Sequence, residues 1–219
     1  MSQMRVIMLH TPDYQPSDIS VPVTQSYCKQ WGYPFDYYED VISHEWIPSW
    51  NKILAVQTVM RRAVPGEYLT WIDGDILILR QDLPLDSLII AGKDLAFSTD
   101  IHGICSGFFI IRKCPAMEKF MRDLWFHYCT CWPWEQGAMK ALIKNDFQLQ
   151  EATAHISPSL IQNPRTAFNA NAFAMHYWAN HFGCVRTKRY MSLAVQQGWK
   201  EEVFPAFRHR VNVYRKQTP

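Results

Sequence analysis

The segment Tyr68-Leu-Thr-Trp-Ile-Asp-Gly-Asp75 is an apolar run that ends in two carboxylates separated by one glycine. The run is rich in β-branched and aromatic residues and has almost no polar face. This is typical of a central strand that is covered on both sides, as in parallel sheets. A second apolar run follows at once, Ile76-Leu-Ile-Leu79. The pattern predicts a buried strand whose carboxyl end presents Asp73 and Asp75.

Two interpretations of the Asp-Gly-Asp triplet compete. Asp-Gly between apolar runs is a signal for a two-residue β-hairpin turn. The flanking runs do not alternate, however, and a hairpin gives no reason for a second acid. The other interpretation is a cation site, because Mg²⁺ and Mn²⁺ favour one or two carboxylates together with waters and substrate phosphates. Ligands of parallel sheets bind beyond the carboxyl ends of the strands, where Asp73 and Asp75 are expected.

Segments on both sides of the triplet predict alternating strands and helices. A helix opens at Pro48-Ser49, with Ser49 as its N-cap, and stops at Pro65-Gly66. The further predicted strands are Arg5–His10, Asp94–Ser98, Gly107–Arg112 and Ala172–Tyr177, and the further predicted helices are Pro115–Tyr128 and Pro133–Asn145. This alternation predicts an α/β fold with a mostly parallel central sheet. No linker divides the chain, so we expect one domain over residues 1–219.

Composition argues against several classes of protein. The 219 residues carry 22 basic and 20 acidic side chains, a balance unlike that of nucleic-acid binders. Apolar runs fall far short of the ~20 residues that span a bilayer, and no signal peptide precedes the first strand. The six cysteines form no CxxC pair, so a structural zinc site is not expected. These features favour a cytoplasmic protein with reduced thiols and no membrane span.

Five segments, in order, resemble the nucleotide-sugar glycosyltransferases of the GT-A fold, most closely the retaining galactosyl-, xylosyl- and mannosyltransferases of fungi and plants. They are Ser49-Trp-Asn-Lys52, Tyr68–Asp75, Cys105-Ser-Gly-Phe-Phe-Ile-Ile-Arg112, Trp134-Glu-Gln-Gly-Ala138 and Phe173-Ala-Met-His-Tyr177. The resemblance implies a Rossmann-like three-layer α/β sandwich. It also implies transfer of a sugar from a nucleotide diphosphate donor, a UDP-sugar, to a glycan or another hydroxyl acceptor.

The resemblance further implies a cation, Mn²⁺ or Mg²⁺, held by both acids and a histidine. Asp73 would face the ribose and the metal, and Asp75 would hold the metal. Two histidines compete for the third position: His176 ends an apolar strand, and His181 lies in His-Phe-Gly-Cys184. We favour His176, because a position after a strand fixes geometry better than a loop does.

Several residues are expected at the donor. Lys52 lies in the first turn of its helix, where a cation opposes the macrodipole, so it either faces the diphosphate or is a solvated surface lysine. Thr11 and Tyr14 follow the first strand. Tyr14 is placed for stacking on uracil, with an exposed loop tyrosine as the alternative.

The segment Cys105-Ser106-Gly107 resembles the family's Asn-Ser/Ala-Gly turn, whose small residues let the donor sugar approach the backbone. Cys105 departs from the family's asparagine, and a thiol is a weaker hydrogen-bonding group than an amide. The departure bears on the identity of the donor sugar.

The resemblance places Glu135 and Gln136 beneath the reacting sugar carbon, where a retaining enzyme stabilises positive charge. If the reaction inverts, a general base such as Glu135 or Asp100 is needed. Asp100 otherwise holds sugar hydroxyls. Trp132, Trp134, Trp178 and Trp199 are candidates for an acceptor cleft, although most tryptophans lie in the core.

Two other functions stay open. A sugar nucleotidyltransferase also uses paired acids and metal, but the segment after the first strand, His10–Tyr14, lacks the glycines of a phosphate loop. A non-catalytic nucleotide- or sugar-binding module of the same fold is the second. The chain is also compatible with being one part of a larger multidomain protein.

Overall fold

The computed structural model of the chain describes residues 4–100, 103–128, 134–178 and 183–205. Its strands are β1 (Met4–Leu9), β2 (Phe35–Tyr38), β3 (Tyr68–Ile72), β4 (Ile76–Ile78), β5 (Leu95–Asp100), β6 (Gly103–Arg112), β7 (Thr153–Ile156), β8 (Ile161–Gln162) and β9 (Ala174–His176). Its α-helices are α1 (Ser17–Trp31), α2 (Asn51–Arg62), α3 (Pro115–Phe126), α4 (Trp134–Asn145), α5 (Phe147–Ala152) and α6 (Cys184–Gln197). Short 3-10 turns lie at Pro48–Trp50, Leu85–Leu88 and Glu201–Val203.

The central sheet has the strand order β2-β1-β3-β6-β5-β7. Strand β1 is parallel to β2 and β3, and β5 is parallel to β7. Strand β6 is antiparallel to both of its neighbours, β3 and β5. The predicted α/β fold with a mostly parallel sheet is therefore confirmed.

A second, smaller sheet with the order β4-β9-β8 begins directly after the Asp-Gly-Asp triplet. Ile72 pairs with Phe108 in the central sheet, whereas Ile76 pairs with His176 in the small one. The amide of Ile76 donates to the carbonyl of Asp73 at 3.0 Å, which closes a tight turn between the two sheets. The β-hairpin interpretation is therefore wrong, because the turn carries the chain from one sheet to another.

Helices cover both faces of the central sheet. Leu69 and Trp71 of β3 pack with residues of α2, α3 and α4, and Ile72 packs on the opposite side with residues that include Val21 and Tyr27 of α1. Side chains alternate between the faces of a strand, so an apolar run without a polar face is what two covered faces require.

Three local predictions need correction or completion. Ser49 does not cap α2, because Pro48–Trp50 forms a 3-10 turn and the N-cap position belongs to Trp50. Helix α1 was not indicated by the sequence pattern, since Pro22 inside it removes a backbone donor and apolar periodicity is weak. Helix α3 ends at Phe126, and Pro133, the expected start of α4, lies outside the described residues.

Among the described residues, the helices are too short or too polar to cross a bilayer.

A buried glutamate, Glu67, forms hydrogen bonds at the end of the central sheet that lies opposite the Asp-Gly-Asp triplet. Glu67 is 6% exposed, and its carboxylate accepts hydrogen bonds from Arg5 Nε and from the amide of Val64, both at 2.9 Å.

We expect Glu67→Ala to lower the free energy of unfolding by about 1–3 kcal/mol, because both donors lose their acceptor. Urea unfolding measures the change. Glu202→Ala, at an exposed position, is the control and should change stability by less than ~0.5 kcal/mol; an equal effect of both substitutions would contradict the assignment.

Candidate active site

A cavity of about 510 Å³ opens at the carboxyl ends of β1 and β3. The described residues that the sequence pointed to line it, except Trp199, whose indole donates to the carbonyl of Asn169. The lining residues include Thr11, Tyr14, Lys52, Asp73, Asp75, Asp100, Ser106, Gly107, Glu135, Gln136 and His176. They come from segments that are far apart in the chain, so the fold brings them together. His181, the alternative to His176, and Trp132 lie outside the described residues.

Asp73, Asp75 and His176 form a cluster in which one potential ligand atom from each lies within 4.8 Å of the others. Backbone pairing produces this arrangement. Strand β4 pairs with β9, and the amide of Tyr177 donates to the carbonyl of Asp75 at 3.0 Å. The amide of Asp73 donates to the carbonyl of Gly107 at 2.8 Å, which ties the other end of the turn to β6.

The side chain of Asp75 is held from two directions. His176 Nε2 lies 3.2 Å from its Oδ1, and the hydroxyl of Tyr14 donates to its Oδ2 at 2.9 Å. Tyr14 is therefore not an exposed loop tyrosine. Burial raises the pKa of Tyr14, and the charges of Asp75 and Asp73 add to the effect, so its hydroxyl stays a donor. Burial lowers the pKa of His176, but Asp75 and Cys105 together, through charge and hydrogen bonding, raise this pKa by more.

Lys52 is buried, with 5% of its surface exposed, so the solvated-surface alternative is wrong. Its ammonium lies 3.0 Å from Asp73 Oδ1 and 3.0 Å from Glu135 Oε1, and it donates to the carbonyl of Ser106 at 3.3 Å. Burial lowers the pKa of Lys52, but Asp73 and Glu135 raise it by more. The lysine is a fixed cation between two carboxylates.

Helix α4 docks on β6 through its first residues. Ser106 Oγ donates to Glu135 Oε1 at 2.8 Å, and the amide of Ser106 donates to Gln136 Oε1 at 3.2 Å. The other oxygen of Glu135, Oε2, is buried and has no hydrogen-bond partner among the described groups. A buried acceptor without a donor is costly, by roughly 1–3 kcal/mol, which is a reason to expect a ligand or water there.

The Cys105–Gly107 segment lies inside β6, so the expected turn is wrong. The pairing of β5 with β6 instead shifts its register between Phe97 and Ser98, which pair with Phe109 and Cys105. Residues 106–108 therefore bulge away from β5. Bulges of this kind re-aim side chains and are common next to active sites.

Gly107 has a packing role that the sequence did not reveal. A Cβ at this position would lie 2.5 Å from Cε1 of His176, so only glycine leaves room for the ring. Cys105 is the other neighbour of the ring, with its Sγ 3.4 Å from His176 Nδ1. Neither contact is visible in the sequence, since β6 and β9 are more than sixty residues apart.

Helix α1 supplies further contacts that the sequence did not indicate. Ser20 Oγ donates to the carbonyl of Gly74 at 2.6 Å, and a Cβ on Gly74 would collide with Ser17 Oγ.

A further contact joins strand β3 to the turn that follows it: Trp71 Nε1 donates to Asp73 Oδ1 at 2.6 Å. The contact between Trp71 and Asp73 could have been predicted from the sequence, because residues two apart in an extended chain lie on the same face of the strand.

Comparisons with known proteins agree with this architecture. The sequence model of the galactosyl transferase GMA12/MNN10 family matches residues 18–97. A crystal structure of a glycosyltransferase involved in the glycosylation of the major capsid of PBCV-1 is similar with a TM-score of 0.71 and 14% identity, over 87% of this chain and 98% of that chain. The chain therefore has the fold of these glycosyltransferases.

Two further solved structures are similar to this chain. GlyE of Streptococcus pneumoniae TIGR4 has a TM-score of 0.54 and 12% identity, over 80% of this chain and 55% of that chain. The galactosyltransferase LgtC, in complex with donor and acceptor sugar analogs, has a TM-score of 0.50 and 10% identity, over 86% of this chain and 95% of that chain. No curated protein matches the sequence. At such identities the likeness concerns the fold, so donor and acceptor must be inferred from the residues of this chain.

The close packing of Gly107 and His176 gives a prediction. If Asp73, Asp75 and His176 bind Mn²⁺, Gly107→Ala should weaken that binding at least tenfold, because the new methyl group displaces the imidazole from the two carboxylates. Isothermal titration with Mn²⁺ measures the change. In a His176→Ala background the same substitution should have little further effect, since coupled positions are not additive. Full additivity in this double-mutant cycle would show that Gly107 does not act through His176.

Proposed function

We propose that this glycosyltransferase moves a sugar from a nucleoside diphosphate donor, a UDP-sugar, to a glycan hydroxyl, with retention of configuration. A divalent cation, Mn²⁺ or Mg²⁺, is held by Asp73, Asp75 and His176, and residues 1–219 act as one domain. The observation that carries the proposal is the convergence of these three side chains at the cavity wall, beside Lys52 and Glu135.

The three side chains fit a divalent cation in chemistry and in spacing. Two carboxylates are the ligands that hard cations favour, and imidazole suits transition metals such as Mn²⁺. Ligand atoms on opposite sides of one ion lie about 4–5 Å apart, given bonds of ~2.0–2.6 Å. The observed 4.8 Å limit falls within this span. A cation bound there supplies Lewis acidity that stabilises the departing diphosphate.

The residues of the chain position the reacting groups. Lys52 holds Asp73 and Glu135 in one network, so a shift of either carboxylate disturbs the other. Thr11 and Tyr14 line the end of the cavity at β1, where we place the nucleoside. Glu135 Oε2 has no hydrogen-bond donor among the residues that the structure describes, and we assign it to the donor sugar, as a partner of a hydroxyl or of the positive charge on the anomeric carbon.

The proposed transfer breaks the bond between the anomeric carbon and the diphosphate oxygen. The acceptor oxygen forms a new bond to that carbon on the same face, and the acceptor proton passes to the departing diphosphate. Glu135 and Gln136 lie together at the start of α4, where both can stabilise the electron-poor carbon. Asp100 lines the same cavity and is available to hold sugar hydroxyls.

The cation assignment is tested by Asp75→Asn. We expect hydrolysis of UDP-sugars in Mn²⁺, measured as UDP release without acceptor, to fall at least a hundredfold, because the substitution removes a charged ligand. The rise in melting temperature that UDP with Mn²⁺ gives the wild type should also be lost. Asp82→Asn, at an exposed residue paired with Arg80, is the matched control and should behave as the wild type. Wild-type Mn²⁺-dependent turnover by Asp75→Asn would refute the cation site.

Assays on the wild type distinguish the proposed transferase from the two other functions. A binding module would show the UDP and Mn²⁺ shift in melting temperature but release no UDP in the wild type. A nucleotidyltransferase would release pyrophosphate from UTP and a sugar 1-phosphate. Either result would overturn the proposed transfer reaction.

The role of Glu135 is tested by Glu135→Gln, which keeps the size of the side chain. We expect kcat for donor hydrolysis to fall about 10²–10³-fold, as on removal of a transition-state stabiliser, while the UDP and Mn²⁺ shift in melting temperature stays within 1–2 °C, roughly. Glu151→Gln, on an exposed residue, is the control. An unchanged kcat, or an equal loss of nucleotide binding, would contradict a role at the sugar.

A further inference from the structure

Two tryptophans adopt a backbone conformation that disfavours them. Trp134 has a φ of 51° and Trp178 a φ of 53°, and in the described part of the chain no other non-glycine residue has a positive φ. For a residue with a Cβ this conformation is unfavourable and persists only where the surrounding structure enforces it. Glycine or asparagine would relieve the strain, yet both positions carry the largest side chain.

Both strained residues line the cavity, and each adjoins a residue of the site. Trp134 directly precedes Glu135, and it is half-buried. Trp178 follows His176 by two residues, with its ring nearly perpendicular to the imidazole at an interplanar angle of 87° and a centroid distance of 6.2 Å. The strained residues therefore lie beside functional side chains of the site. Strained backbone conformations are common at such sites.

The chemistry around the two indoles fits a sugar ring. A pyranose has an apolar face of C–H groups and a rim of hydroxyls. Large aromatic faces with a few polar groups beside them suit such a ligand. Asp100 and Gln136 line the same cavity and offer a carboxylate and an amide to the hydroxyls.

A nucleobase can also stack on an aromatic ring. In the proposed function, however, the nucleoside lies at the end of β1, near Thr11 and Tyr14. Trp134 belongs to α4, which packs against β6 and the Pro48–Trp50 turn. The indole of Trp134 therefore lies on the side of the cavity that Glu135 and Gln136 form.

We propose that Trp134 and Trp178 form the acceptor subsite and that the acceptor is a sugar, bound by packing of a pyranose face on indole. This inference rests on the proposed function, because it assumes that a donor occupies the β1 side. It adds to the proposed function the two side chains that bind the glycan acceptor. The backbone strain at both tryptophans is the cost of aiming two large rings into one cavity.

The binding test does not require turnover. Saturation-transfer NMR with a set of methyl hexopyranosides and pentopyranosides, in the presence of UDP and Mn²⁺, should detect at least one bound glycoside on the wild type. Trp134→Leu and Trp178→Leu should each weaken that binding at least tenfold, whereas Trp134→Phe, which keeps a ring, should stay within about threefold. Trp31→Leu is the control, because the Trp31 indole donates to the carbonyl of Gln81 outside the cavity.

Steady-state kinetics then shows whether Trp134 contacts the acceptor or the nucleobase. With a UDP-sugar that the wild type turns over, Trp134→Leu should raise the KM for the glycoside at least tenfold and change the KM for the donor less than threefold. A rise of both KM values together would assign the indole to the base and overturn the inference. Transfer to a serine- or threonine-containing peptide in place of any glycoside would also overturn it.

A stability comparison tests the strain itself. Trp134→Asn should melt at a temperature no lower than that of Trp134→Leu, because asparagine tolerates a positive φ and leucine does not. Both should lose glycoside binding. Unchanged glycoside binding in Trp134→Leu and Trp178→Leu, or the lack of any bound glycoside on the wild type, would refute the subsite. Glycoside binding without donor turnover would instead refute the proposed transfer and leave the sugar subsite supported.

Discussion

The antiparallel pairing of β4 with β9 is the constraint on which the site depends. It sets Ile76 opposite His176, and the Tyr177 amide is bonded to the Asp75 carbonyl. A histidine distant in sequence thereby reaches the two acids through backbone hydrogen bonds rather than through flexible side chains. At the other end of the turn the Asp73 amide is bonded to the Gly107 carbonyl, so the cluster of Asp73, Asp75 and His176 is fixed between two sheets. A site fixed in this way requires little ordering when it binds, which favours affinity.

A buried lysine offsets part of the acidic charge around this turn. Asp73 and Glu135 both lie 3.0 Å from the Lys52 ammonium. A cation in the first turn of a helix opposes the macrodipole, and the two carboxylates offset that cost. Because the lysine comes from α2 and Glu135 from α4, the network also joins two helices that cover the same face of the sheet.

Much of the fold could be predicted from the sequence because its signals are local. The apolar run of β3 has no polar face, and both of its faces are covered. The acids follow it directly. Helix α1 gave no comparable signal, since Pro22 lies inside it and its polar residues include Ser17 and Ser20, which pack on the turn. The predicted cap at Ser49 was wrong because a 3-10 turn moves the N-cap position by one residue, to Trp50. The fit of Gly107 under His176 depends on tertiary packing, which no single segment encodes.

The bulge in β6 lets one strand serve both the sheet and the cavity. Residues 106–108 leave the ladder with β5, yet Phe108 keeps its pairing with Ile72, and Cys105 and Phe109 keep theirs with β5. Ser106, released from that ladder, donates to Glu135, while Gly107 is crowded by the imidazole of His176. A substitution at either residue therefore acts on the cavity rather than on the register of the sheet.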